Sequence, residues 1–357
     1  MNRVMAPWAS RVNASIAELF PGYFALVMAT GIVSIAAKLL GLVRVAEALF
    51  GLNIAFYVVL SLLLAFRLVA HFPRVLADLR DHNRGPGFFT TVAGTCVLGS
   101  QCVVVAGHIP VARLLWFVAI GLWVVVMYSF FTAVVVREEK PSLEAGINGA
   151  WLIAIVATQA IAVLGSLVAS SLPSPAAVLF FTLCMYLLGA MLYLTIITLI
   201  FYRFTFLPMS MDRLTPPYWI NMGAVAITTL AGCTLLLHRD LSPLVTKIEP
   251  FLLGFTIFFW AAATWWVPLL VILGIWRHAV RKFPFRYDPQ YWGMVFPLGM
   301  YTVSTLRLAQ AADVSFILII PRVFIFLALG AWAATFAAMV VSLLGSGKPR
   351  GVNAITT

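Results

Sequence analysis

Ten apolar runs, most of them about twenty residues or longer, follow one another along the whole chain. They lie at about 21–41, 46–70, 87–108, 110–136, 146–170, 176–202, 217–237, 250–276, 290–311 and 318–345. No other feature constrains the fold as strongly. The bilayer core has no water to bond exposed backbone groups, so such runs fold as helices that satisfy their own N–H and C=O groups. The expected fold is an all-α integral membrane protein with ten transmembrane helices. Turn chemistry fills the gaps, as in "DHNRGPG" at 81–87, "SSLPSP" at 170–175 and "RKFPFRYDP" at 281–289. With 10% charged residues, no polar stretch is left for a soluble domain. The expected organisation is a short cytoplasmic segment at 1–20, a membrane domain at 21–345 and a short cytoplasmic tail at 346–357. The first run, from Pro21, is too long for a signal peptide and lacks a small-residue cleavage pattern.

A net charge of +11 points to nucleic acid only until the charges are placed. With the N-terminus inside, one set of gaps holds Arg3, Arg11, Arg67, Arg74, Arg80, Arg84, Arg137, Lys140, Arg203, Arg213, Arg277, Arg281, Lys282, Arg286, Lys348 and Arg350. The other side holds Lys38, Arg44, Arg113, Arg239, Lys247 and Arg322, while Arg307 falls inside a run. This asymmetry reads as topology, with both termini cytoplasmic in a bacterial-type inner membrane, and not as nucleic-acid binding. Cys96, Cys102, Cys184 and Cys233 lie inside apolar runs without paired spacing, so neither a disulfide framework nor a metal site is expected. The five histidines fall in loops or at run ends and share no helical face. No cofactor is implied.

The odd-numbered runs begin alike: "PGYFALVMATG", "GPGFFTTVAGTC", "INGAWLIAIVAT", "PPYWINMGAVA" and "PQYWGMVFPLG". Anchored on Tyr23, Phe88, Ala150, Tyr218 and Tyr291, they recur at a near-constant interval that fits one helical hairpin per repeat. Small residues sit at the matching positions Gly31, Cys96, Thr158, Ala226 and Gly299. The even runs are bulkier and more continuously apolar, which suits lipid contact. Five tandem helical hairpins around a central pore, lined by the odd helices, are the arrangement this contrast implies.

The motifs "FPGYFALVMATGIVSIA" and "YWGMVFPLGMYTVSTLRLA" resemble the tellurite-resistance/dicarboxylate transporter family, which includes malate carriers, sulfite efflux pumps and plant guard-cell slow anion channels. The resemblance runs from about Phe20 to about Leu344. It implies ten helices in five hairpins, a homotrimer with one pore per subunit, and a phenylalanine gate on the ninth helix. Here that residue is Phe296, beside Pro297, with Met28, Ala93, Ile155 and Gly223 at the equivalent repeat positions.

An anion path needs mild positive potential and no deep trap. All twelve acidic residues lie in loops or near run ends, which favours anions over cations. Arg307 lies eleven residues from Phe296, on nearly the same helix face. It reads as an anion-attracting charge, as a structural partner of Asp313 or Glu47, or as a side chain snorkelling to the outer interface. Thr30, Gly31, Ser34, Thr158, Asn221, Thr228, Gly299, Thr302 and Ser304 are the pore-lining candidates, about half of the polar ones expected to bond a carbonyl of their own helix. Pro297 frees one carbonyl and bends its helix. The expected function is transport of a small anion across the bilayer: a C4-dicarboxylate such as malate, or sulfite, chloride, nitrate or a tellurite-related oxyanion. A membrane-embedded enzyme would need a buried dyad or metal set, and no such motif occurs; a sensor or assembly subunit would carry a soluble domain.

Overall fold

Each inner helix starts in the same way. A proline or glycine opens a single 3₁₀ turn, and an α-helix follows without a break: Pro21–Phe24, Gly85–Phe88, Gly149–Leu152, Pro216–Trp219 and Pro289–Tyr291 are the five turns. Proline fixes φ near the helical value and lacks the N–H that a first turn leaves unbonded, so it starts a helix well. The computed structural model describes residues 13–210, 214–284 and 287–345. The tail at 346–357, most of the 1–20 segment, and Arg3, Arg11, Arg213, Arg286, Lys348 and Arg350 of the charge count lie outside the described residues.

Among the described residues all regular structure is helical. We number the long helices α1 (Ala25–Leu39), α2 (Val43–Ala70), α3 (Phe89–Val104), α4 (Ile109–Val135), α5 (Ile153–Val168), α6 (Pro175–Phe206), α7 (Ile220–Leu237), α8 (Glu249–Ile275), α9 (Trp292–Ala311) and α10 (Ile319–Gly345). Nine, among the described residues, are long and apolar enough to cross a membrane by length and composition. Ten were expected, and α9 does not qualify, because Gly293, Pro297, Gly299, Thr302, Ser304, Arg307 and Gln310 dilute its apolar character.

Burial divides the helices into two classes. The most apolar stretches of the α1, α3, α5 and α7 segments are 83%, 89%, 94% and 94% buried, against 17–44% for α2, α4, α6, α8 and α10. Helix α9 joins the inner class, with Val295, Phe296, Met300, Thr302 and Ser304 all buried. The outer helices instead expose Leu62, Val69, Leu114, Val125, Phe206 and Phe326, an apolar belt that matches lipid.

The inner helices close a ring in the order α1, α3, α5, α7, α9 and back to α1. Glycine stands at every seam. Gly31 of α1 meets Val97 of α3, and Gly99 of α3 meets Leu164 of α5. Gly149 meets Pro217 between the starts of α5 and α7. Gly223 of α7 meets the Pro297 ring of α9, and Gly299 of α9 meets Ile32 of α1. A methyl group at Gly149 would stand 2.3 Å from the Pro217 carbonyl oxygen, which backbone cannot evade. Without a hydrophobic force between helices in lipid, such close backbone approach supplies the packing.

Gly149→Ala should therefore destabilise the protein by about 1–3 kcal/mol, the usual cost of overpacking. Gly254→Ala, where an added methyl meets nothing within 4 Å, should be neutral or stabilising. Thermal unfolding in detergent compares them, and equal melting temperatures would contradict the seam.

Candidate translocation pathway

Two cavities lie along the ring's axis. The first, about 420 Å³, is walled by the beginnings of all five inner helices: Ala25 and Met28, Thr90, Ile153 and Val156, Ile220, Gly293 and Phe296. Because all five starts meet there, the inner helices run parallel. The second, only about 30 Å³, is walled by their later turns. On α9 the lining residues continue as Met300, Val303 and Arg307; on α1 as Ile32, Ile35 and Leu39; on α5 as Ala160, Val163 and Leu167. Helices α3 and α7 contribute Val97, Ser100 and Val104, and Ile227, Leu230 and Thr234. Steps of three and four residues put each set on one helical face.

Superposing these faces corrects the sequence register in the third repeat. Ile153, Val156 and Ala160 match Gly293, Phe296 and Met300 only when the anchor is Trp151 instead of Ala150. The 3₁₀ turn beginning at Gly149 gives the same register, since turns begin two residues before Tyr23, Tyr218 and Tyr291. The counterpart of Phe296 in that repeat is thus Val156, not Ile155. Gln159 replaces Thr158 as the counterpart of Gly31, so this repeat breaks the small-residue pattern. Its amide donates to the Tyr186 carbonyl at 3.0 Å and packs against Gly189 of α6.

Phe296 is 1% exposed, yet its side chain forms part of the first cavity's wall. One turn later Met300 lines the second cavity, so the ring stands between the two. The matching positions on the other helices are Met28, Ala93, Val156 and Gly223, and only α9 offers an aromatic side chain there. Pro297 cannot donate to the Gly293 carbonyl four residues back, and that carbonyl belongs to a residue lining the first cavity.

The wall of the first cavity is mostly apolar but carries a set of polar side chains. Arg203, at the end of α6 and 3% exposed, donates to the Ile147 carbonyl at 2.7 Å and to the Tyr218 hydroxyl. Asn148 caps the third inner turn by accepting from Ala150 N at 2.8 Å, and donates to Asn83 at 2.8 Å. Thr90, Thr215, Gln290 and half-buried Glu144 complete the polar lining. Behind Asn83, His82 packs on Trp151, with ring centroids 5.8 Å apart. Burial, and then the nearby Arg137 charge, push its pKa below the usual histidine value.

The second cavity is apolar apart from Ser100, Thr234 and Arg307. Arg307 donates to Gln310 at 2.8 Å. Among the described residues neither Glu47 nor Asp313 forms an ion pair with it.

None of the nine pore-lining candidates from the sequence stands on the walls of these two cavities. Thr30 accepts from Trp332 Nε1 at 3.0 Å, Ser34 donates to the Ala46 carbonyl at 2.7 Å, and Thr158 accepts from Trp123 Nε1 at 2.9 Å. These three hydroxyls tie inner helices to outer ones. Thr158, Thr228, Thr302 and Ser304 donate to carbonyls of their own helices, matching the expected half or so. Asn221 is buried, and neither polar atom of its side chain has a hydrogen-bond partner. Gly31 and Gly299 serve the seams. The lining residues Met28, Ile32, Val156, Met300 and Val303 went unnoticed because apolar residues inside an apolar run carry no contrast. A common three-and-four spacing across the repeats, in the corrected register, is the signal that finds them. Arg203 could have been found as a lone cation inside "LIFYRFTF".

Replacing Arg203 with Leu should cost about 1–3 kcal/mol, since the Ile147 carbonyl and Tyr218 hydroxyl lose their buried donor. The exposed Arg74→Leu should cost far less. Melting temperatures in detergent test this, and equal shifts would contradict it.

Residues 18–340 match the family described as voltage-dependent anion channel (SLAC1). An uncharacterized membrane protein of Mycobacterium tuberculosis is 39% identical over 149 residues, covering 42% of this chain and 75% of that protein. An uncharacterized transporter of Methanocaldococcus jannaschii is 28% identical over 304 residues, covering 81% of this chain and 83% of its own. A sulfite efflux pump of Trichophyton rubrum is 25% identical over 354 residues, 91% of each chain.

Proposed function

Since the chain belongs to the voltage-dependent anion channel family, also known for tellurite-resistance/dicarboxylate transporters, we propose that it moves a small anion along the ring's axis. The observation that carries this reading is the lining itself: five helices, in one register, wall a vestibule that carries Arg203 and other polar side chains and then a narrow apolar passage. In this reading α9 is the tenth span, and the ten helices form five tandem hairpins around the pore. Phe296 is the gate, held in place by the Pro297 bend and by Gly223 behind the proline ring. Arg307 is the anion-attracting charge at the far end. The vestibule end faces the cytoplasm, as the lysine and arginine asymmetry favours. The assembly is a homotrimer with one path per subunit, checked by the mass of the solubilised particle.

The substrate is a small inorganic anion, with sulfite in its monovalent form ahead of malate. Two things support that order: the relative named for sulfite efflux spans nearly the whole chain, and the passage beyond Phe296 is narrow and apolar. The desolvation cost of an ion grows steeply with its charge, so a divalent dicarboxylate crosses such a passage poorly. The names in the family are those of channels, transporters and pumps, which agrees with a protein that is not an enzyme.

Flux into proteoliposomes of sulfite, nitrate, chloride and malate, with and without a pH gradient, tests substrate and coupling together. Phe296→Ala should raise flux of the preferred anion; unchanged flux in a correctly inserted protein would remove the gate. Arg307→Gln should lower anion flux about fivefold, the effect of roughly 1 kcal/mol from one screened charge. Unchanged flux would leave Arg307 as a helix-end residue bonded to Gln310.

A further inference from the structure

Where α8 ends, the chain makes one π-helical turn, Trp276–Val280. It carries an arginine whose guanidinium has no hydrogen-bonding partner among the described residues. Arg277 is 8% exposed, its Nε is buried and unbonded, and its guanidinium carbon lies 4.1 Å from the Phe283 ring centroid. A buried guanidinium is costly unless acceptors satisfy its donors. A ring face supplies attraction but no acceptor atoms.

Arg277 lines a groove of about 530 Å³ between α8, the Pro216–Trp219 turn and the start of α9. Apart from Arg277 and its neighbour His278 the walls are nearly all apolar, with Leu270, Leu273 and Met294 among them, and no carboxylate lines the groove. Val271 and Ile275, on the same walls, are 43% and 56% exposed, so the groove opens on the lipid-facing side of α8. Arg281 and Lys282 follow directly and are exposed. Cations cluster at one end of an open apolar groove, at a helix end beside the bilayer interface.

We propose that this groove binds one anionic phospholipid, with its phosphate on Arg277 and an acyl chain along Leu270, Leu273 and Gly274. A phosphate supplies the acceptors the guanidinium lacks. The adjoining Arg281 and Lys282 favour an acidic headgroup over a zwitterionic one. Tyr291 and Met294 form part of the groove, while Gly293 and Phe296, interleaved with them, face the axial vestibule. The lipid therefore rests on the back of the helix that carries Phe296.

Native mass spectrometry of the full chain, with dioleoylphosphatidylglycerol or dioleoylphosphatidylcholine added, tests the site. The wild type should retain the anionic lipid in preference, and Arg277→Gln should weaken its retention roughly tenfold. Gly274→Phe should block the groove while every charge stays in place, since Gly274 lines the groove and a Cβ added there meets nothing within 4 Å. It keeps the test decisive even if the arginine variant fails to fold. Equal retention of the two lipids, or undiminished retention in Gly274→Phe, would overturn the proposal. Displacement of the lipid by excess inorganic phosphate would assign the cations to a free anion instead. A fall in oligomer mass in Gly274→Phe, without lipid loss, would assign the groove to a second copy; both outcomes overturn it.

Discussion

Everything in this molecule depends on five helices standing close enough to close a ring. In lipid, apolar side chains gain little by leaving the bilayer for one another, so association rests on contact between backbones. Glycine at Gly149, Gly223 and Gly299 lets a neighbouring backbone come close, while Gly31 and Gly99 make room for the side chains of Val97 and Leu164. The outer helices add cross-braces from side chain to side chain: Trp123 to Thr158, Trp332 to Thr30, and Trp260 to Thr305 at 3.0 Å. These bonds, with those of Thr228, Thr302 and Ser304 to carbonyls of their own helices, take up most of the hydroxyls of the inner helices. What is left facing the axis is mostly apolar, and that is why the passage beyond Phe296 is dry in character.

Charge is therefore kept to the two ends. Arg203 stands in the vestibule and Arg307 at the far end, with Phe296, Met300 and Val303 between them on the face of α9. In the proposed path an anion is attracted at either end, and no cation among the lining residues between them holds it there. Among the inner helices, α9 alone combines proline, an aromatic ring at the Phe296 position and arginine, and its neighbours enclose it.

Much of this was readable from the residues. The apolar runs, the shared Pro/Gly and aromatic openings and the bulk of the even runs marked the all-helical class, the common helix starts and inner against outer class, all from periodicity and contrast. The side on which a hydroxyl points was not readable. Thr30, Ser34 and Thr158 looked like pore hydroxyls, but a donor on an outer helix, tens of residues away or more, or an acceptor there, claims each one. The one-residue register error at Ala150 had a similar origin. Asn148 caps that turn, so its opening lacks the proline that marks three of the others.

In the proposed path Phe296 separates the vestibule from the passage in which Cys96 lies, 1% exposed. A protein with Cys102, Cys184 and Cys233 replaced by alanine keeps Cys96 as its one thiol. A small charged methanethiosulfonate reagent, applied to reconstituted protein, should leave Cys96 unmodified with Phe296 in place and modify it readily in Phe296→Ala. Equal labelling of the two would show that the ring does not close the path.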